Sequence, residues 1–112
     1  MAKKSPYESG ELTDSIFLIL LATLAPVHGY RIMQLIQEMT GGSVEIGPAT
    51  MYTTLRKLSE SGWIAAQNEV DSKILYQITD TGRMLLLENF NRRKKIMEIT
   101  QHYFTTGGQG NG

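Results

Sequence analysis

The stretch that decides the fold runs Gly47-Pro48-Ala49-Thr50-Met51-Tyr52-Thr53-Thr54-Leu55-Arg56-Lys57-Leu58-Ser59-Glu60-Ser61-Gly62. Pro48 suits the first position of a helix, because its missing N–H would have no intrahelical partner there. Gly62 can supply a left-handed C-terminal residue, so the sequence predicts a helix from about Pro48 to Ser61. At about 100° per residue, Pro48, Met51, Leu55, Leu58 and Gly62 fall on one side and Ala49, Thr53, Arg56 and Glu60 on the other, with Thr50 and Lys57 flanking. One face is apolar. The opposite face is small, polar and partly basic, which turns a hydrogen-bonding surface outward.

Upstream, Thr13 has the hydroxyl to cap a first helix, with Leu12 and Phe17 forming a hydrophobic staple around it. That helix runs to about Leu24, and Pro26 stops it. A second helix starts after His28-Gly29, carries Ile32, Leu35, Ile36 and Met39 as its apolar stripe, and ends at Gly41-Gly42. Downstream, Trp63 to Glu69 and Lys73 to Ile78 are rich in strand formers and separated by Asp71-Ser72 turn chemistry, which predicts a hairpin. Thr79-Asp80-Thr81-Gly82 then opens a long final helix ending near Phe104. The expected fold is mainly α with a small β-hairpin: a winged helix-turn-helix plus a long C-terminal helix. Its divisions are a flexible arm over 1–11, the winged helix-turn-helix over 12–79, a dimerisation helix over 80–104 and a disordered glycine-rich tail over 105–112.

Composition narrows the function classes. The chain has 112 residues, 41% hydrophobic and 20% charged, with eleven Lys+Arg against eleven Asp+Glu, as in one ordinary globular domain. Cysteine is absent, which excludes a disulfide framework, a thiolate nucleophile and every Cys-based zinc or iron–sulfur site. Formal neutrality argues against a generic polyanion binder. From the second helix to the end of the hairpin, Arg31, Arg56, Lys57 and Lys73 are set against Glu38, Glu45, Glu60, Glu69 and Asp71, so a nucleic-acid surface would have to segregate charge by side. The longest apolar run, Ile16 to Ala22, is well short of the about 20 residues that span a bilayer and reads as a buried core helix. No membrane partner and a cytoplasmic location are expected. No Ser/His/Asp constellation, phosphate loop or acid–base pair is visible, and His28 and His102 lack metal-ligand spacing. No catalytic residue, metal or cofactor is therefore expected.

Five motifs in order carry a family resemblance: Leu12-Thr13; His28-Gly29-Tyr30; Gly47-Pro48-Ala49-Thr50-Met51-Tyr52; Leu58 followed by Gly62-Trp63-Ile64; and Tyr76-Gln77-Ile78-Thr79-Asp80-Thr81-Gly82. Over about residues 12 to 104 the chain resembles the PadR-family transcriptional regulators, in the small subgroup with a single C-terminal helix. The resemblance implies a dimeric DNA-binding repressor. Trp63 stands where the family usually has Leu, and Ala49-Thr50-Met51-Tyr52 where many members have Gly-Thr-Leu-Tyr.

A helix entering a groove about 12 Å wide needs small, hydrogen-bonding leading residues, and Ala49, Thr50 and Thr53 meet that demand. Tyr52 and Lys57 are expected to hold phosphates, and Thr53 and Arg56 to reach base edges. Lys73, just past the hairpin turn, is expected at a neighbouring phosphate or the minor groove. Tyr30 reads as core-flanking, and Arg92-Arg93-Lys94-Lys95 as a solvated cluster. Phe17, Leu86, Phe90, Ile96, Met97, Tyr103 and Phe104 are expected at a twofold contact with a second copy. The expected partners are thus a pseudo-palindromic duplex operator and a homodimer mate. The resemblance adds a small apolar effector at the dimer interface, for which Phe17, Phe90 and Met97 could line a gap. The final helix nevertheless lacks the tryptophan against which some members bind flat drugs. Two other classes compete: a winged-helix protein-interaction module, and a ligand-sequestering dimer with little DNA binding.

Overall fold

Thr13 starts the first long helix as its chemistry requires: its Oγ1 accepts the Ile16 N–H at 3.2 Å, and Asp14 follows in the first turn, where negative charge suits the helix dipole. The computed structural model describes residues 4–70 and 73–108. Within them the order is α1 (Pro6–Ser9), α2 (Asp14–Ala22), β1 (Val27–His28), α3 (Gly29–Thr40), α4 (Pro48–Glu60), β2 (Ile64–Val70), β3 (Lys73–Ile78) and α5 (Asp80–Thr106). This is the expected winged helix with a long C-terminal helix. The Asp71-Ser72 turn and residues 109–112 of the tail lie outside the described residues.

The core is made where α2, α3 and α4 meet the sheet. Ile19, Leu20, Ile32, Ile36, Met51, Leu55, Leu58 and Ile64 are fully buried. The α4 periodicity holds: Met51, Leu55 and Leu58 point inward, while Ala49, Thr50, Thr53, Arg56 and Lys57 are exposed. Pro48 is exposed too. It sits in the first turn, before the helix has reached the core.

Three features depart from the sequence reading. First, the sheet has three strands, in the order β1-β3-β2, because Val27 and His28 pair antiparallel with Tyr76 and Leu75 of β3. Two residues show no alternation, so only the tertiary pairing reveals this strand. Second, the stretch expected as a flexible arm contains α1, whose Tyr7 ring stacks on Trp63 at 5.5 Å between centroids. Third, α5 runs on through Thr106 to a left-handed Gly107, two residues into the expected tail.

Asn89 and Arg93 fasten α5 to the chain before α2. Asn89 is 2% exposed and uses its whole amide: Oδ1 accepts the Leu12 N–H at 2.9 Å and an Arg92 N–H at 2.8 Å, and Nδ2 donates to the Gly10 and Leu85 carbonyls at 2.9 Å each. Arg93 Nη2 donates to the Leu12 carbonyl at 3.0 Å and to Asp14 at 2.9 Å, and its guanidinium lies 4.3 Å from the centroid of the Phe17 ring. Two cations of the expected solvated cluster are therefore structural. Both break the apolar periodicity, which is why the stripe alone misread them.

The start of α5 is held more tightly still. Thr79 N–H donates to the Trp63 carbonyl at 2.9 Å, Thr79 Oγ1 donates to the Gly62 carbonyl at 2.6 Å, and the Gly82 N–H donates to Thr79 Oγ1 at 3.1 Å. A Cβ on Gly82 would collide with the Trp63 carbonyl oxygen and come within 2.9 Å of Ile78 Cγ1. In an open helix Gly→Ala adds about 0.5–1 kcal/mol of stability. Here the sign reverses: Gly82→Ala should destabilise by about 1–3 kcal/mol, the usual cost of overpacking, and lower Tm by several degrees in a thermal melt. An unchanged or raised Tm would show that this contact does not constrain the fold.

Candidate nucleic-acid interface

With Met51, Leu55 and Leu58 completely buried, the opposite side of α4 must face outward. Its leading half presents Ala49, Thr50 and Thr53, which bring the helix axis close to any surface it meets while offering hydroxyls to it. Arg56 continues that line, and Glu60 ends it with an acid. The N-terminal half is thus the part of α4 suited to phosphate-rich surroundings.

The two flanks of the helix are held by different neighbours. Measured round the helix from Met51, Tyr52 lies at about 100° and Lys57 at about 240°, one on either side of the outward line. Tyr52 is 48% exposed, and its ring lies over the start of α3: a Cβ on Gly29 would fall 2.8 Å from Tyr52 Cε1 and 3.0 Å from its hydroxyl oxygen. Gly29 is therefore required for the ring to lie there. Lys57 is exposed on the far flank, its Nζ 5.9 Å from the centroid of the Tyr7 ring in α1. A helix seated in a groove has a backbone on each side, and these two flanks each carry a hydrogen-bond donor.

Lys73 opens β3 and is exposed. The fold brings it to the same cavity as Tyr52, a hollow of about 640 Å³ whose lining also includes His28, Tyr30, Arg31 and Tyr76. His28 Nδ1 lies 3.3 Å from the Ile74 carbonyl, which can only accept, so the ring donates and ties the start of α3 to β3. Tyr30 is 64% exposed rather than packed at the core edge, and joins the cavity wall. Burial pushes the Tyr76 phenol above its ordinary value, and the neighbouring Tyr52 phenol pushes it the same way. The Tyr76 hydroxyl therefore stays protonated, and able to donate, at neutral pH. Arg31 Nη1 is engaged along α3 by Glu38 at 2.8 Å and Gln34 at 3.4 Å.

The residues expected at a twofold contact separate into two groups. Leu86 is 7% exposed within the chain's own core, and half-buried Phe17 packs under Arg93. Phe90, Ile96, Met97, Tyr103 and Phe104 are exposed, as are Leu87 and Ile99, which the sequence reading did not include. Leu86 sits on the inner face because α5 packs on α2 over its first half. Its helical phase alone did not separate it from Phe90.

Solved structures share this fold. A transcriptional regulator from Clostridium thermocellum, Cth-833, aligns at TM-score 0.67 and 18% identity over 82% of this chain and 97% of its own. Smu.1704 from Streptococcus mutans aligns at 0.64 and 21%, covering both chains completely. Bacillus subtilis PadR, solved in complex with operator DNA, aligns at 0.59 and 23% over 69% of this chain and 46% of its own. No curated protein matches the chain. The sequence profile of the transcriptional regulator PadR-like family matches residues 17–88, more than half of the chain, and the chain belongs to that family.

Proposed function

We propose that this regulator is a homodimeric, sequence-specific repressor that places α4 in the major groove of a pseudo-palindromic operator. The observation that carries the proposal is the outward face of α4: small residues and hydroxyls at Ala49, Thr50 and Thr53, then Arg56, with a donor on each flank. Thr53 and Arg56 read base edges, Tyr52 and Lys57 hold phosphates on opposite sides of the groove, and Lys73 reaches the backbone from the wing. The operator complex of B. subtilis PadR supports this use of the fold. Of the competing readings, neither a protein-interaction module nor a ligand-sequestering dimer accounts for small hydroxyl residues at the leading end of an exposed helix.

The second copy packs on α5. Phe90, Ile96, Met97, Tyr103 and Phe104, with exposures from 47% to 83%, follow one another from near the middle of a 27-residue helix to its outer end. A stripe of that length is too apolar to remain in water on a monomer. A twofold mate would cover it and set two α4 helices about one or more helical turns of DNA apart, 10 bp or a multiple.

The direct test is to recover the genomic fragments that the protein retains and to titrate the enriched duplex. Arg56→Ala should relax discrimination at particular base pairs by about 1–3 kcal/mol, whereas Lys57→Ala should weaken all duplexes alike and reduce the salt slope by about one. Identical behaviour of the two variants across operator mutants would refute the division of roles. Tyr52→Phe keeps the ring over Gly29, so melting should be unchanged while operator affinity falls by about 0.5–1.5 kcal/mol, the net worth of one hydrogen bond. Equal affinity would remove its hydroxyl from the interface. For the dimer, sedimentation at micromolar concentration should give twice the chain mass, and Phe90→Glu with Met97→Glu should give monomers that still melt cooperatively. A monomeric wild type would refute the twofold contact.

A further inference from the structure

The cavity between the start of α3, the flank of α4 and the wing holds more chemistry than two isolated phosphate contacts require. Its walls are Tyr30, Tyr52 and Tyr76, whose phenols can donate hydrogen bonds to a ligand, together with Arg31, Lys73 and His28. No carboxylate is among the described residues that line it. Donors and cations with no carboxylate among the described lining residues favour an anion over a cation. At about 640 Å³ the hollow exceeds what a bare oxyanion fills and suits an anion carried on a ring-sized group. The three aromatic faces can pack a sugar or stack a base.

The position of the walls is fixed by structure. Tyr52 is pinned by the absence of a side chain at Gly29, and Tyr76 by the β1–β3 pairing, in which it faces Val27. His28 is tied to the wing by its contact with Ile74. Arg31 is braced by Glu38, which leaves Lys73 as the principal cation for an incoming charge. Tyr30 projects at the rim. The hollow is thus bounded by the two elements proposed to approach DNA, the wing and α4, with α3 as its back wall.

We propose that this cavity is a seat for a phosphate ester, held by Lys73 and the tyrosine hydroxyls, with the attached sugar or base against the tyrosine rings. The phosphate ester can come from the backbone of a bound duplex or from a free mononucleotide. The first source, and any inducing effect of the second, rest on the DNA-binding reading above. A free nucleotide in the seat would block the approach of a duplex and so act as an inducer at the DNA-facing surface itself.

The test uses the full chain and the double variant Lys73→Gln, Tyr30→Phe, in which both altered side chains are exposed and melting should match wild type. Each protein is titrated with the enriched operator duplex, with an unrelated duplex of equal length, with operator carrying single methylphosphonates in turn, and with thymidine 5′-monophosphate. If the seat takes a backbone phosphate, the double variant binds both ordinary duplexes about tenfold more weakly with a salt slope lower by about one. One methylphosphonate position should then erase the difference between the proteins. If it takes a free nucleotide, thymidine 5′-monophosphate binds wild type, binds the double variant about tenfold more weakly, and displaces the duplex. The seat is overturned if the double variant holds duplexes within twofold of wild type and the mononucleotide fails to bind, or binds both proteins equally. Unchanged operator binding in the double variant would remove Lys73 from the proposed backbone contacts and leave the α4 reading standing. Lys73-dependent mononucleotide binding by a chain that holds no duplex would overturn the DNA reading and leave the seat. A chain that binds neither would overturn both.

Discussion

The contact on which the arrangement of the whole chain depends is made by backbone at the junction of Gly62-Trp63 with Thr79-Gly82. The Trp63 carbonyl accepts the Thr79 N–H, and the Gly62 carbonyl accepts the Thr79 hydroxyl. Gly82 then packs so closely on Trp63 that no side chain fits. One residue earlier, the Ile78 N–H donates to the carbonyl of fully buried Thr23 at 2.8 Å, while Thr23 Oγ1 donates to Leu20 at 2.8 Å. The ends of α2 and α4, both long strands and the start of α5 therefore converge within a few residues. The Thr23 and Thr79 hydroxyls and the Trp63, Gly62 and Thr23 carbonyls there all have partners, which offsets the cost of taking them out of water. It also closes the wing at its base, which fixes the direction from which Lys73 leaves the domain.

A chain with no net charge can bind an anionic surface only by directing its cations. Here they divide. Arg92 lies 3.8 Å from Glu11 and bonds Asn89, and Arg93 holds Asp14 and the Leu12 carbonyl, so these two serve the fold. Arg56, Lys57 and Lys73 stay exposed around α4 and the wing. The acid on the outward line of α4, Glu60, is at its far end. This segregation gives a local field without a strongly basic chain. On the proposed reading, it would also keep affinity for arbitrary polyanions low and favour readout by geometry over attraction by bulk charge.

Most of the fold was legible in the sequence because its signals are local. Pro48 and Gly62 bracket α4, Thr13 and Thr79 cap α2 and α5, and Gly41 terminates α3 in the left-handed conformation those positions need. What was illegible is what depends on partners distant in sequence. Asn89 looks like a polar interruption of an apolar stripe until Gly10 and Leu12, nearly eighty residues away in sequence, supply its partners. The β1 strand exists only because β3 has an edge to pair. Tyr30, Arg31 and Tyr76 carry no signature as site residues, since their shared cavity is made by three elements meeting. The outward face of α4, by contrast, follows from periodicity alone.

The division of α5 into an inner and an outer half gives the proposed dimer a mechanical consequence. The helix is clamped at its first turn by Thr79 and Gly82, and again two to three turns later by Asn89 and Arg93. Between these clamps Leu86 sits in the core. Beyond Arg93 the same helix continues to Thr106 with its apolar residues exposed. An α-helix held at two points this far apart cannot tilt at one end without moving the other, because its hydrogen-bonded backbone resists bending in the absence of proline or a bulge. The angle between the outer halves of two α5 helices would therefore pass to the two α4 helices as a rigid-body rotation. A small change in the packing of Met97 or Phe104 against the mate would alter the separation of the α4 pair and leave each domain's interior unchanged. Operator spacing would then be set at the outer end of α5, while base recognition would be set on α4.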